Sequence, residues 1–125
     1  MAQEKFYYSR LSKKRLSECH EDLQKIANEL IKELDVTILC GHRNKADQDA
    51  AVARGNSRLK WPKSKHNKMP ALAVDIAPYP ISWSKIERFD DMCKRVEKIA
   101  KRLGIKIRLG RDFKGLVDWP HIELV

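Results

Sequence analysis

Apolar residues recur at three- and four-residue steps in two stretches of the chain, a spacing that predicts two amphipathic helices. In the first, His20 to Leu34, the stripe is Leu23, Ile26, Ala27, Leu30 and Leu34, with Glu21, Lys25 and Lys32 outside it. In the second, it is Ile86, Phe89, Cys93, Val96, Ala100 and Leu103, with Ser82 or Ser84 as N-cap and Gly104 as terminator. Val36 to Cys40 (VTILC) is β-branched and apolar and predicts a buried strand ended by Gly41. Asp47 to Arg54 reads as a short helix stopped by Gly55, and Ile105 to Leu109 alternates like a strand with one wet face. The stretch from Gly55 to Pro70 has no periodicity and is basic and rich in turn formers, hence a long loop; such loops are more often functional than idle.

Two further strands each set polar groups opposite an apolar stripe. In Leu72 to Ala77, Leu72, Val74 and Ile76 fall on one face and Ala73, Asp75 and Ala77 on the other, so the small alanines leave room beside the carboxylate. In the last segment Ile122 and Leu124 oppose His121 and Glu123, and Pro120, which has no N–H for a ladder, sets the strand's start near His121. If both belong to one sheet, a single polar face carries Asp75, His121 and Glu123, and Asp118 sits on the rim loop.

At 125 residues the chain has the size of one domain, spanning 1–125, and 42% hydrophobic with 34% charged residues is a soluble globular balance. Lys and Arg number 26 against 17 Asp and Glu, a formal charge of +9, which calls for an anionic partner. Nucleic acid fits that charge, and so does a cell wall bearing phosphates and carboxylates. Five of the cations, Arg58, Lys60, Lys63, Lys65 and Lys68, lie in the long loop. Cys19, Cys40 and Cys93 have no short spacing, so they suggest neither a disulfide framework nor a metal knuckle and read as small core hydrophobes. The leading stretch MAQEKFYYSRLSKKR has no continuous apolar run, so neither secretory signal nor anchor nor membrane insertion is expected. Synthesis in the cytoplasm follows.

His66, Asp75 and His121 together offer two imidazoles and a carboxylate, a donor set that zinc accepts while keeping a fourth position open for water. Asp118, three residues before His121, would be the base. Each residue alone has a blander reading: a solvated loop histidine, an ion-pair partner, an edge histidine. Glu123 is either a hydrogen-bond acceptor that fixes an imidazole tautomer or a surface acid.

These segments, taken in order, resemble the M15 zinc peptidases that cut bacterial cell-wall peptides, especially short phage endolysins acting as L-alanyl-D-glutamate peptidases. The resemblance covers most of the chain: the leading helix, GHR at Gly41 to Arg43, Gln48, SKH at Ser64 to His66, AVDIAP at Ala73 to Pro78, and DWPHIEL at Asp118 to Leu124. It implies an α+β fold of the hedgehog and DD-peptidase kind: a small, mostly antiparallel sheet with helices on one face and a zinc cleft on the other. It implies Zn2+ held by His66, Asp75 and His121, with Asp118 as catalytic acid and base. It also implies Arg43 as a stabiliser of oxyanion charge or a substrate clamp. Ser64 opens the SxH motif, bracing the loop or touching substrate, and His42, beside Arg43, is a further candidate for substrate contact. His20 marks the start of the first helix. The chain departs from the usual motif in carrying NKMPALAV where a glycine commonly follows the histidine, and in having Asp118 where relatives often have glutamate.

The implied partner is bacterial peptidoglycan, with anionic wall polymers a further partner for the basic surface. A monomer is expected, acting on the wall after release with help from a membrane-permeabilising partner. Three alternatives compete. One is a D-alanyl-D-alanine carboxypeptidase or dipeptidase on the same site. The second is a nucleic-acid-binding module, weakened by Trp61 being the sole aromatic of the basic loop. The third is a thiol hydrolase using Cys40 and His42.

Overall fold

A computed structural model describes residues 5–125; residues 1–4, the beginning of the leading stretch, lie outside them. The elements in chain order are α1 (Arg10–Ser17), α2 (Glu21–Leu30), β1 (Val36–Cys40), α3 (Lys45–Ala53), β2 (Ala73–Pro78), α4 (Ile86–Leu103), β3 (Ile107–Leu109) and β4 (His121–Leu124). The strands form one sheet in the order β1-β2-β4-β3, every neighbouring pair antiparallel. The α+β architecture expected from the sequence is therefore present.

One face of the sheet is the core. Val74 and Ile76 of β2, Ile122 of β4 and Leu109 of β3 are buried there, beneath the stripes of α2 (Leu23, Ile26, Ala27, Leu30) and α4 (Phe89, Met92, Cys93, Val96, Ile99, Ala100). Burial of these stripes holds the helices against the sheet, since each fully buried large side chain contributes roughly 1.5–3 kcal/mol. Gly104, with φ 72°, ends α4 in the left-handed conformation that suits glycine.

Several boundaries differ from the sequence expectation. Helix α1 has no counterpart in the apolar pattern, because only Ser12 and Leu16 of RLSKKRLS are buried. Polar contacts hold it instead: Ser9 caps it, and the Ser12 hydroxyl accepts the Ile38 amide of β1 at 3.0 Å. Helix α2 stops at Leu30 rather than Leu34, and His20 is its N-cap. Helix α3 begins at Lys45 rather than Asp47, because Asn44 accepts the Asp47 amide at 2.8 Å. Neither Ser82 nor Ser84 caps α4; their hydroxyls face each other at 3.4 Å and Lys85 occupies the cap position without a side-chain bond. β2 begins at Ala73 rather than Leu72, and β3 is shorter than the alternating run suggested. The long loop contains one turn of 3-10 helix, Lys65–Asn67.

Candidate metal centre

Strand register assembles the site. Asp75 stands opposite His121 across β2 and β4, and Cys40 stands opposite Asp75 across β1 and β2, so the three leave the sheet in one row on the face away from α2 and α4. His66 arrives from the 3-10 turn. Ser64 caps that turn, its hydroxyl accepting the His66 amide at 3.2 Å while its own amide donates to Asn67 Oδ1 at 3.0 Å. The Arg43 amide donates to the His66 carbonyl at 2.8 Å and pins the turn to the end of β1.

Three donor atoms converge. His66 Nε2, Asp75 Oδ1 and His121 Nδ1 are each 3.2 Å from the other two. Donors at ~2.0–2.1 Å from a tetrahedral zinc ion stand about 3.3 Å apart, so this triangle matches one face of the tetrahedron. The remaining ring nitrogens are also assigned. His66 Nδ1 lies 2.8 Å from the Gly41 carbonyl, which can only accept, so Nδ1 keeps its proton and Nε2 is the nitrogen turned toward the triangle, where its lone pair is freed once its own proton leaves. His121 Nε2 lies 2.8 Å from Glu123 Oε1, which leaves Nδ1 as its free donor. Glu123 is thus a hydrogen-bond partner of the imidazole and not a free surface acid; its other oxygen meets Lys65 Nζ at 3.3 Å. The donor set and its geometry fit a zinc ion.

The electrostatics agree. Burial opposes charge on His66, yet the Asp75 carboxylate outweighs it and pushes the histidine up to about 10. His121 is raised in the same contest, between burial on one side and Asp75 and Glu123 on the other. Burial would raise Asp75, but the two imidazoles hold it well below the usual carboxylate range. The spot draws positive charge, whether as protons or as a divalent cation.

Asp118 stands at the rim, half-buried, its Oδ2 3.9 Å from His121 Nδ1. Burial and the nearby Asp75 charge raise its pKa, which suits a group that must both take and return a proton. The rim loop closes on itself there, because the Asp118 amide donates to the Gly110 carbonyl at 3.0 Å. A Cβ at Gly110 would fall 2.1 Å from the Asp118 carbonyl oxygen, so only glycine permits the approach. Arg43 Nη2 lies 3.6 Å from Asp75 Oδ2, and its Nη1 donates to Gln48 Oε1 at 3.1 Å. Gln48 is fully buried and gives its own N–H groups to Leu59 O and Ser57 Oγ at 2.6 and 3.0 Å. It is a brace for Arg43 and for the long loop.

The structure therefore brings together His66, Asp75, His121, Asp118, Arg43 and Glu123. Ser64 and Gln48 stand behind them as supports. His42 is half-buried and makes no side-chain hydrogen bond or ion pair among those of the described residues. Cys40 corrects the reading of the cysteines as core hydrophobes: Cys19 and Cys93 are buried, whereas Cys40 is half-buried and its sulfur lies within 4.8 Å of donor atoms of His66 and Asp75. A bulge between Ile38 and Cys40 turns it to this face, which alternation along VTILC does not reveal. Asn67 was also missed; its amide donates to Arg43 O and Gln48 Oε1, both at 3.1 Å, tying the histidine turn to the arginine brace.

The family model for phage L-alanyl-D-glutamate peptidases matches residues 4–125 of this chain. The chain belongs to that family. A curated relative, the L-alanyl-D-glutamate peptidase of Escherichia phage T5, is 36% identical over 137 residues, covering 96% of this chain and 98% of the relative. The crystal structure of the Serratia marcescens L-Ala D-Glu endopeptidase ChiX superposes with a TM-score of 0.82 at 26% identity, covering 96% of this chain and 90% of that one. Membership of the phage peptidase family makes the triangle and its rim carboxylate a candidate centre for peptide hydrolysis.

Proposed function

We propose that this protein is a zinc-dependent peptidase that hydrolyses the L-alanyl–D-glutamate bond of bacterial cell-wall peptides. The single observation that carries the reading is the triangle of His66 Nε2, Asp75 Oδ1 and His121 Nδ1 with 3.2 Å sides. Support comes from the two relatives named above, both of which carry this bond in their names and match the chain over nearly its whole length.

His66, Asp75 and His121 would hold the ion. Bound there, zinc supplies Lewis acidity and brings the pKa of a water down toward ~7. Asp118 takes the proton from the attacking water and returns it to the departing amine, so that one group acts as base and then acid. Arg43, held between Asp75 and Gln48, presents its guanidinium to the charge that develops on the substrate carbonyl. Gly41 and Glu123 keep both imidazoles in the tautomers that point their lone pairs inward.

The cell wall is the proposed site of action, and the chain is proposed to work there as a single domain and a monomer. Among the described residues no helix is long and apolar enough to cross a membrane, so reaching the wall is assigned to a separate permeabilising partner. The basic long loop is proposed to hold the enzyme near anionic wall polymers.

The test is metal content and turnover measured together. His66→Ala, Asp75→Ala and His121→Ala should each lose the zinc found in the wild type, whereas Asp118→Ala should keep it and lose about 10²- to 10⁴-fold in turnover on purified peptidoglycan. Full zinc in His121→Ala would sink the assignment. Release of terminal D-alanine alone from the wall would move the substrate to that of a carboxypeptidase.

A further inference from the structure

Arg43, in the loop after β1, and Arg108, in β3, stand beside the cleft in different circumstances. Arg43 is engaged by Asp75 and Gln48. Arg108 has no carboxylate within ion-pair distance among the described residues. Glu123, its register partner across β3 and β4, has both oxygens committed, one to His121 and one to Lys65. The register puts Arg108 on the same face as Glu123, and hence as His121 and Asp75.

An aromatic ring holds Arg108 beside the cleft. Its guanidinium carbon lies 4.7 Å from the centroid of Phe113, and the Phe113 ring lies 5.3 Å from that of His121. The charge is therefore no more than about 10 Å from the imidazole. The Phe113 ring covers the guanidinium from one side, and among the described residues none of its N–H groups is hydrogen-bonded or ion-paired, which leaves them for a carboxylate that a guanidinium can grip with two hydrogen bonds. Phe113 opens the same rim loop that ends at Asp118, so the guanidinium lies on the side of the cleft that carries the proton donor for the leaving amine.

The chemistry of the bond calls for such a group. In an alanyl–glutamate amide the leaving amine belongs to the glutamyl residue, which has two carboxyl groups, and only one of them can continue the peptide. The other remains a few bonds from the nitrogen that departs beside Asp118.

We propose that Arg108, set over the Phe113 ring, binds the free carboxylate of the D-glutamyl residue and so selects an acidic residue on the leaving side of the bond. This rests on the peptidase reading above and adds the residue that recognises its substrate. Lys65, the other cation next to Glu123, is held by that carboxylate and by the Leu124 carbonyl and does not compete for the role.

The experiment uses two synthetic stem peptides that contain the L-alanyl–D-glutamate bond, one with the glutamyl carboxylate free and one with it converted to a carboxamide. The wild type should favour the acid. Arg108→Ala should lower kcat/KM on the acid by about 10- to 100-fold, chiefly through KM, and leave the amide within about twofold, so that the preference disappears. Arg108→Lys should restore part of it, and Phe113→Leu should weaken it by freeing the guanidinium. Lys98→Met removes one charge from the exposed side of α4, across the sheet from the cleft, and should change neither substrate, which separates local recognition from long-range attraction. Zinc content and melting temperature report that each variant is folded. Equal losses on acid and amide in Arg108→Ala, or a wild type indifferent to the carboxylate, overturn the proposal while leaving the peptidase reading intact. A wild type that cleaves neither peptide nor purified wall overturns the peptidase reading itself.

Discussion

Each imidazole of the candidate metal centre rests on one partner that can accept but not donate: the Gly41 carbonyl for His66 and the Glu123 carboxylate for His121. Glu123 is the sharpest case, since among the described residues it alone holds His121 Nε2, at 2.8 Å, and so leaves Nδ1 for the proposed ion. Glu123→Ala should weaken zinc binding by about 10- to 100-fold, read by competition with a chelator of known affinity, while the fold persists. His66 makes a second prediction, with its sign fixed by charge. Asp75 raises it from 6.5 to about 10 in the metal-free protein, so at pH 7 it carries a proton that zinc must displace. Calorimetric titration in two buffers of different ionisation enthalpy should therefore show net proton release on zinc uptake. The same shift stabilises the metal-free fold below pH 6.5, the value in the unfolded chain, and that contribution is lost as pH rises through about 10. Melting of metal-free protein should fall across that window. At this scale the sequence was informative about identities. Asp75 and His121 could be singled out by residue type and strand alternation, and His66 and Asp118 by residue type and their place in the ordered motifs, but Gly41 and Asn67 could not be read as partners, because a backbone carbonyl or a loop amide has no sequence signature in that role.

The elements act as holders, and the tightest fit is where the rim loop returns to β4. A Cβ at Gly110 would meet the Asp118 carbonyl oxygen at 2.1 Å and His121 Cβ at 2.8 Å, neither of which can swing aside. Gly110→Ala should cost about 1–3 kcal/mol of stability in a denaturant titration and reduce turnover by displacing Asp118. Gln48 is the corresponding brace on the other side of the cleft. Gln48→Ala would strand buried partners at Leu59, Asn67 and Arg43, and should lower kcat/KM along with stability, whereas a surface glutamine would do neither. The helices α2 and α4 were legible because their apolar stripes obey one period. Helix α1 was not, since it docks through Ser12 and Arg15 onto the Ile38 backbone, and polar docking leaves no stripe to read. The cap of α4 was misjudged because Ser82 and Ser84 turn to each other, a pairing that only the loop's path decides.

At the scale of the whole molecule, charge and fold have separate tasks. A net charge of +9 with Arg58, Lys60, Lys63 and Lys68 exposed along one acid-free loop should attract the enzyme to anionic walls, so lysis of intact walls should fall as salt rises. Cleavage of a short soluble peptide should be much less sensitive, and a common salt dependence for both would assign the charge to the active site instead. Composition, the two helical periods, the alternating strands and the ordered motifs were properties of the sequence alone, because each arises from residues close together in the chain. The sheet order, the row of Cys40, Asp75 and His121, and the contacts that link Arg108 to Phe113 and Phe113 to His121 were settled only by tertiary structure. They join residues tens of positions apart, and register between strands depends on which faces the packed core leaves free.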